Sequence, residues 1–466
     1  MSVQPRASRS ASREPPRPPA GAPPLWRLLG HCADAVAAVQ AGRSLTDALE
    51  ACPPAVRPGT QALSFAVMRR LGLARRLRAL LVPRAPAPWV DGLLLSALAL
   101  ACGDEYSPHT LVDQAVDAAK RGAKPASGMV NAVLRRFLRE REALLAKAEQ
   151  DPEARWNHPR WWIDQVKQDW PEHWQALLQA NQQPGPMVLR VNRRHGSRDH
   201  YLERLREAGQ SAIPVLDDGL LLAQPVPVHQ LPGFAQGDVS VQDTSAQRAA
   251  KLLLQALGPD IQPGTRVLDA CSAPGGKTAH LLEAADLALL ALDADATRLR
   301  RVDETLQRLN LPATTQATTR TADAADTATW WDGRPFDAIL LDAPCSGSGI
   351  VRRHPDARWL RRATDIPALA DTQDRLLDAL WPLLAPGGHL LYCTCSLFKQ
   401  EGEQRIDAFL QRQPQATRLP APGHLLPVVE YPEPERATTG SPAESAGPRD
   451  PGDGFYYALL SKPATR

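Results

Sequence analysis

The sequence predicts a multidomain chain: an all-α front, a small α+β module, and a C-terminal α/β domain built on a doubly wound parallel sheet. Three observations carry this. The 466 residues are too many for one core. Residues 25–148 carry helical signals throughout. Beyond residue 239, short apolar runs alternate with helical stretches, as parallel sheets require.

The totals exclude several classes. A hydrophobic share of 43% and a charged share of 23% describe an ordinary globular composition. The net charge of +3 does not by itself indicate a nucleic-acid partner, but residues 25–148 hold 17 Lys/Arg against 10 Asp/Glu. The seven cysteines are scattered and lack C-x-x-C spacing, which argues against a disulfide framework or structural zinc and fits a reducing cytoplasm. No apolar run approaches the length of a membrane span.

In order, residues 1–24 include seven prolines and read as a disordered tail. Helices are expected over 25–42, 45–51, 59–81, 89–101, 110–120 and 128–147, with Pro, Gly and Ser at the joins. Residues 149–238 hold a Trp-rich linker (Trp156, Trp161, Trp162, Trp170, Trp174) and the small module. Tryptophans beside basic residues can stack bases, but at helical spacing packing is the better reading. The module's expected strands are 187–192, 213–215 and 220–222, with a helix over 197–208, which suits an RNA-recognition-like fold. Residues 239–466 are expected to form the C-terminal α/β domain, with strands at 266–269, 288–293, 338–342, 389–393 and 453–460. The Pro-rich stretch 414–451 reads as a solvated loop.

The chemistry sits at strand ends. The run Ala338–Leu341 stops at Asp342, Ala343, Pro344 and Cys345, followed by Ser and Gly, and ligands of open α/β sheets bind at such carboxyl ends. The first strand of the domain leads into CSAPGGKTAHL (Cys271–Leu281), where Gly275 and Gly276 allow a ligand to approach a helix N-terminus. A phosphate-binding P-loop would need glycine at position 271, which is Cys271. The G-x-G-x-x-G fingerprint of a dinucleotide-binding oxidoreductase is missing too. Asp293 ends the second strand, where an acid can hold ribose hydroxyls, and Asp323 could reach an adenine amino group. This order of groups fits S-adenosylmethionine better than NAD or ATP. Cys393 and Cys395 lie in YCTCS with no metal-ligand partners at suitable spacing. Two thiols and a methyl donor fit carbon 5 of a pyrimidine, which becomes nucleophilic once a thiolate adds at carbon 6. The site needs a deprotonated thiol and an unstacked base.

CSAPGGK, DAPCSGSG and YCTCS together resemble the RNA 5-methylcytosine methyltransferase family, and SGMVNAVLRRFLRE (Ser127–Glu140) is similar to the last helices of NusB-like antitermination-factor domains, which bind RNA. RHPDARWLRR (Arg353–Arg362) is similar to members acting on small-subunit ribosomal RNA. The resemblance covers roughly residues 25–460. It implies an all-α NusB-like N-terminal domain and a Rossmann-like S-adenosylmethionine-dependent methyltransferase domain. It further implies a cytoplasmic monomer acting on 16S ribosomal RNA, with no metal and no membrane. By the resemblance, Cys395 is the nucleophile and Cys345 assists product release. Cys271, Ser272, Ala273, Pro274, Gly275, Gly276, Lys277, Asp293, Asp323 and Asp342 line the cofactor pocket, and Asp342 also touches the cytosine. Ser272 departs from the family's usual Ala. Arg352, Arg353, Arg358, Arg361 and Arg362, with the basic front, are expected to hold RNA phosphates. The alternative is a non-catalytic RNA-binding or antitermination factor; the glycines, acids and both thiols speak against it.

Overall fold

A computed structural model describes residues 23–311, 316–427 and 451–464, so nearly all of the expected N-terminal tail and most of the 414–451 segment lie outside the described residues. The chain forms two compact units divided after Arg160, later than the boundary expected at 148.

The first unit is helical: α1 (Leu25–Gln40), α2 (Leu45–Glu50), α3 (Arg57–Arg69), α4 (Leu71–Leu81), α5 (Pro88–Ala101), α6 (Pro108–Gly122), α7 (Ser127–Arg139), α8 (Arg141–Ala148) and α9 (Pro152–Trp156). Two expected helices are each divided. The backbone leaves the helical region at Arg70 (φ −114°, ψ 12°) and at Glu140 (φ −108°, ψ 18°). At Arg70 the N–H bonds back only three residues, to Val67, which tightens the turn. Every residue of α5 from Val90 to Leu100 is buried, the pattern of a central helix enclosed on all sides. Gly92 permits its close approach to α1, since a Cβ there would stand 2.5 Å from the Ala33 carbonyl oxygen.

The division falls one residue into α10 (Arg160–Asp169), which α11 (Trp174–Ala180) follows. The linker tryptophans pack, as their helical spacing suggested. Trp162 is buried edge-on to Phe398 with ring centroids 5.1 Å apart. The indole N–H of Trp170 donates to the Leu397 carbonyl at 2.8 Å. Both partners lie just beyond Cys395, so the linker backs one of the thiol loops.

The small module comprises β1 (Val188–Val191), α12 (Arg198–Glu207), β2 (Ala212–Val215), β3 (Gly219–Leu222) and β4 (Val239–Val241). Its antiparallel sheet has the order β2-β3-β1-β4 around Leu189, Val191, Leu205 and Leu220. Residues 239–241, expected to begin the catalytic domain, instead complete this sheet. Arg190 on β1 is fully buried, and its guanidinium pairs with Glu283 at 2.7 Å and donates to the Gly276 carbonyl at 2.8 Å. The module thereby grips the helix that follows the glycine turn.

The catalytic domain runs α13 (Thr244–Leu257), β5 (Thr265–Asp269), α14 (Gly276–Ala284), β6 (Leu287–Asp293), α15 (Ala296–Arg308), β7 (Gln316–Thr321), β8 (Phe336–Asp342), α16 (Ala357–Leu360), α17 (Asp365–Leu380), β9 (Leu384–Thr394), α18 (Glu403–Arg412), β10 (Thr417–Leu425) and β11 (Phe455–Ser461). The strand order is β10-β11-β9-β8-β5-β6-β7, parallel from β9 to β7, with β10 and β11 antiparallel. Alternate residues of the apolar strands enter opposite cores. Val267, Leu289 and Leu340 meet α13, α14 and α15, while Leu268, Leu292 and Ile339 meet α17 and α18. The order reverses at β5, between β6 and β8, so a crevice opens at the carboxyl ends of these strands. Edge strands β7 and β10 were not expected; residues 417–425 are a strand, not part of a loop.

Candidate active site

β5 ends at Asp269, and the chain turns through Cys271–Gly275 into α14. Gly275 has φ +96°, and a Cβ there would come within 3.0 Å of the Val302 Cα, so the turn requires glycine. The Ser272 N–H and hydroxyl both donate to the Leu292 carbonyl, at 2.8 and 2.9 Å, so serine ties the turn to the end of β6. Burial pushes the Cys271 thiol far up, which leaves it inert at neutral pH.

Four acids stand at the ends of successive strands. Asp269 is fully buried. Its Oδ2 accepts from the Thr278 hydroxyl at 2.6 Å, and its Oδ1 has no hydrogen-bond partner among the described residues. Burial pushes its carboxyl up to about 7, against the Thr278 hydrogen bond. Asp293 ends β6; it accepts from the N–H of Ala273 at 3.2 Å and of Asp295 at 3.0 Å, leaving further lone pairs on both oxygens. Asp342 ends β8, 2.6 Å from the Lys277 ammonium, with the Cys393 thiol 3.4 Å away. Burial alone would lower the Lys277 pKa, but the Asp342 carboxylate more than offsets it and holds it above the ordinary lysine range. Lys277 is also 5.3 Å from the centroid of the Phe455 ring. Asp323 follows β7, pairs with Arg375 at 2.9 Å and is half exposed, farther toward the sheet edge. Partial burial opposes ionisation of Asp323, yet the Ala325 N–H and the Arg375 guanidinium hold its carboxyl low.

The two thiols come together. Cys345 Sγ and Cys395 Sγ are 3.3 Å apart, each on the loop after its strand. The Gly349 N–H donates to the Cys395 carbonyl at 2.9 Å, and Arg361 donates to the carbonyls of Ser346 at 3.0 Å and Cys345 at 3.4 Å. The hydrogen bond to Cys395, and then burial, push the Cys345 thiol well above the ordinary cysteine range, so it keeps its proton. Cys393 is buried beneath the strand end, its thiol raised by burial and by Asp342.

The five arginines do not form the expected phosphate surface. Arg352 is fully buried against Asp453 and the Pro451 carbonyl, and Arg358 is fully buried with a 2.6 Å bond to the Asn181 carbonyl. Arg353 pairs with Asp243 at 2.7 Å and with Asp453, and Arg361 braces the Cys345 loop. Arg362 alone of the five is exposed. Their clustering in the sequence suggested phosphate ligands, but acids and a carbonyl from distant segments claim Arg352, Arg353 and Arg358, and the carbonyls of Cys345 and Ser346 claim Arg361. Sequence reasoning also missed the buried Glu401, Gln373 and Asp453 and the partly buried Asp243, polar residues with no motif of their own. Among the described residues no cluster of three or more His, Cys, Asp or Glu is placed to hold a metal ion.

The residues fit S-adenosylmethionine: a glycine turn at a helix N-terminus, a buried carboxylate oxygen still lacking a donor, and acids at the ends of adjacent strands. The sheet and this constellation define an S-adenosylmethionine-dependent methyltransferase. Residues 255–461 match the family described as 16S rRNA methyltransferase RsmB/F, and residues 158–229 match "Methyltr_RsmF/B-like, ferredoxin-like domain". The chain is 46% identical over 454 residues to the ribosomal RNA small subunit methyltransferase B of Pseudomonas putida, covering 92% of this chain and 97% of that one. For the Vibrio cholerae protein of the same name the identity is 41% over 439 residues, covering 91% and 94%. The chain belongs to the RsmB/F family of 16S rRNA methyltransferases. Among solved structures, PH0851 shares the fold with TM-score 0.71 and 24% identity, covering 93% of this chain and 99% of that one. A methyltransferase homolog protein from Pyrococcus horikoshii aligns with TM-score 0.53 and 28% identity, covering 66% and 97%.

Proposed function

We propose that this protein methylates carbon 5 of a cytosine in 16S ribosomal RNA through a covalent Cys395 adduct. The observation that carries the reading is the pair of thiols, 3.3 Å apart beside Asp342 at the carboxyl ends of β8 and β9. Methylation of an oxygen or nitrogen uses a lone pair and needs no cysteine; carbon 5 of cytosine requires prior activation.

When bound, S-adenosylmethionine supplies an electrophilic methyl group. Gly275, Gly276, Asp269 and Asp293 are the groups to hold it, with Asp323 toward the outer end. Cys395, as thiolate, forms a bond to carbon 6 of the unstacked base, and the electron pair of the C5–C6 double bond moves so that carbon 5 becomes the nucleophile. Asp342, beside the Lys277 ammonium, faces the cytosine and orients it. After methyl transfer a base removes the carbon 5 proton, the C5–C6 double bond reforms, and the S–C6 bond breaks with its electrons returning to Cys395. Cys345 keeps its proton and donates its hydrogen bond to that departing sulfur, which favours release. RNA is held by the basic first unit, where Arg135, Arg136 and Arg139 are exposed on α7, and by Arg362 in the catalytic domain. Among the described residues no helix is long and apolar enough to cross a membrane; the substrate places the work in the cytoplasm, and a single chain contains every group named.

The test is to map 5-methylcytosine in small-subunit rRNA from cells with and without the protein, then restore it with the purified enzyme. The expected result is one cytosine whose mark disappears and returns; an unchanged map overturns the reading.

A further inference from the structure

Glu401 lies in the turn between β9 and α18 and is fully buried. Its carboxylate accepts three short hydrogen bonds: from the Ser346 N–H at 2.8 Å, the Ser346 hydroxyl at 2.5 Å and the Ser396 hydroxyl at 2.6 Å. Ser346 directly follows Cys345, and Ser396 directly follows Cys395. One carboxylate is therefore bonded to both thiol loops, each time one residue away from the sulfur.

The rest of Glu401 is held from the opposite side. Its carbonyl accepts from the hydroxyls of Tyr392 at 2.9 Å and Thr394 at 3.1 Å, both on the strand that leads to Cys395. Gln373 on α17 donates to the Pro344 carbonyl at 2.9 Å and reaches the Glu401 carboxylate at 3.4 Å. Ser348 completes the lacing: its hydroxyl is 2.9 Å from that of Ser396 and accepts from the Leu397 N–H at 2.7 Å. Apolar packing alone could bury these loops more cheaply than a desolvated carboxylate does. What packing lacks is direction; short charge-assisted bonds from one point to two loops fix their spacing.

We propose that Glu401 is a positioning residue for the thiol pair, holding the Cys345 and Cys395 loops at the separation from which both sulfurs reach one base. The part of this that concerns the base rests on the two-thiol reading above, whereas the spacing belongs to the protein alone.

The test uses the full chain as wild type, Glu401→Gln, Ser346→Ala and Ser396→Ala, with two readouts. The first needs no RNA. Diamide, a diazene oxidant, takes two protons and two electrons from the thiols, becomes a hydrazine and leaves a Cys345–Cys395 disulfide, which is quantified by mass spectrometry after alkylation. Wild type should cross-link readily, Glu401→Gln about tenfold more slowly, and the serine variants in between. The second readout is kinetic: kcat of Glu401→Gln should fall about 100-fold, with KM for RNA and affinity for S-adenosylmethionine within about twofold. Cross-linking of Glu401→Gln at the wild-type rate overturns the proposal, as does a fall in cofactor affinity that parallels kcat. If Glu401→Gln does not fold, the serine variants decide, and wild-type cross-linking in both overturns it. Should wild type cross-link and Glu401→Gln lag while no cytosine is methylated, the functional reading fails and the positioning role stands.

Discussion

Cys345 and Cys395 are separated by 50 residues of sequence, yet their sulfurs lie 3.3 Å apart. Parallel pairing of β8 with β9, in register from Ala338 with His389 to Asp342 with Cys393, brings the two loops out side by side. The Gly349 N–H then bonds the Cys395 carbonyl and closes the gap. Two thiols so close can divide the formation and the release of one adduct between them, and they can be told apart by removing each.

Cys395→Ala should lose methylation and form no covalent complex. Cys345→Ala should still attack and methylate but release poorly, accumulating a protein–RNA conjugate on denaturing gels. Formation of the conjugate by Cys395→Ala and not by Cys345→Ala would reverse the two roles.

Asp293→Ala should weaken S-adenosylmethionine binding by about 1.5–3 kcal/mol through loss of charge-assisted hydrogen bonds, or roughly 10- to 100-fold. Titration calorimetry on the folded variant measures this directly. Unchanged affinity removes Asp293 from the pocket.

The arginines should separate into two kinds. Arg352→Met leaves the fully buried Asp453 with Arg353 as its remaining guanidinium partner and should cost about 1.5–3 kcal/mol in denaturant unfolding. Arg362→Ala should leave stability intact and reduce the salt dependence of RNA binding by about one unit of slope. Equal unfolding midpoints for Arg352→Met and wild type would count against the buried pair.

His424 packs between Tyr456 and Trp170, with ring centroids 4.5 and 5.2 Å away. Burial, with Lys399 and Arg418 nearby, lowers its pKa to about 4 from an ordinary 6.5. The folded state thus resists protonation while the unfolded chain accepts it, so this stability is present above about pH 6.5 and is lost as pH falls toward 4. The loss should reach roughly 3 kcal/mol. His424→Phe should flatten the fall in Tm across that window; an identical pH profile would exclude His424 as its source.

The parallel strands and their terminal residues were legible because each is a short apolar run cut off by Asp, Cys or Gly, a signal contained within a few residues. The pairing of the thiols was legible as chemistry, though not as a distance. β7 and β10 were missed for a local reason. Thr-rich QATTRT suits a strand by propensity but has no apolar run to mark it, while TRLPAPGHL, with two prolines and a glycine, is a poor strand; each pairs along an edge that β6 or β11 offers. Arg352 and Arg358 were misread as phosphate ligands, and Glu401 was missed, because charge in a sequence reads as exposure. Their partners lie far along the chain: Asp453 is 101 residues from Arg352, and Asn181 is 177 from Arg358. The helix breaks at Arg70 and Glu140 carry no Pro or Gly, so no residue announces them.

The buried pairing of Arg352 with Asp453 has a consequence for biosynthesis. On the ribosome, Cys345 and Cys395 are made while Arg352 still lacks its acid and Arg353 has only Asp243, and Gly349 lacks the Gly454 N–H that its carbonyl accepts at 2.9 Å. Until the segment with Asp453 and β11 is made, the Arg352 guanidinium must stay hydrated rather than buried, which opposes closing of the Cys345 loop that precedes it.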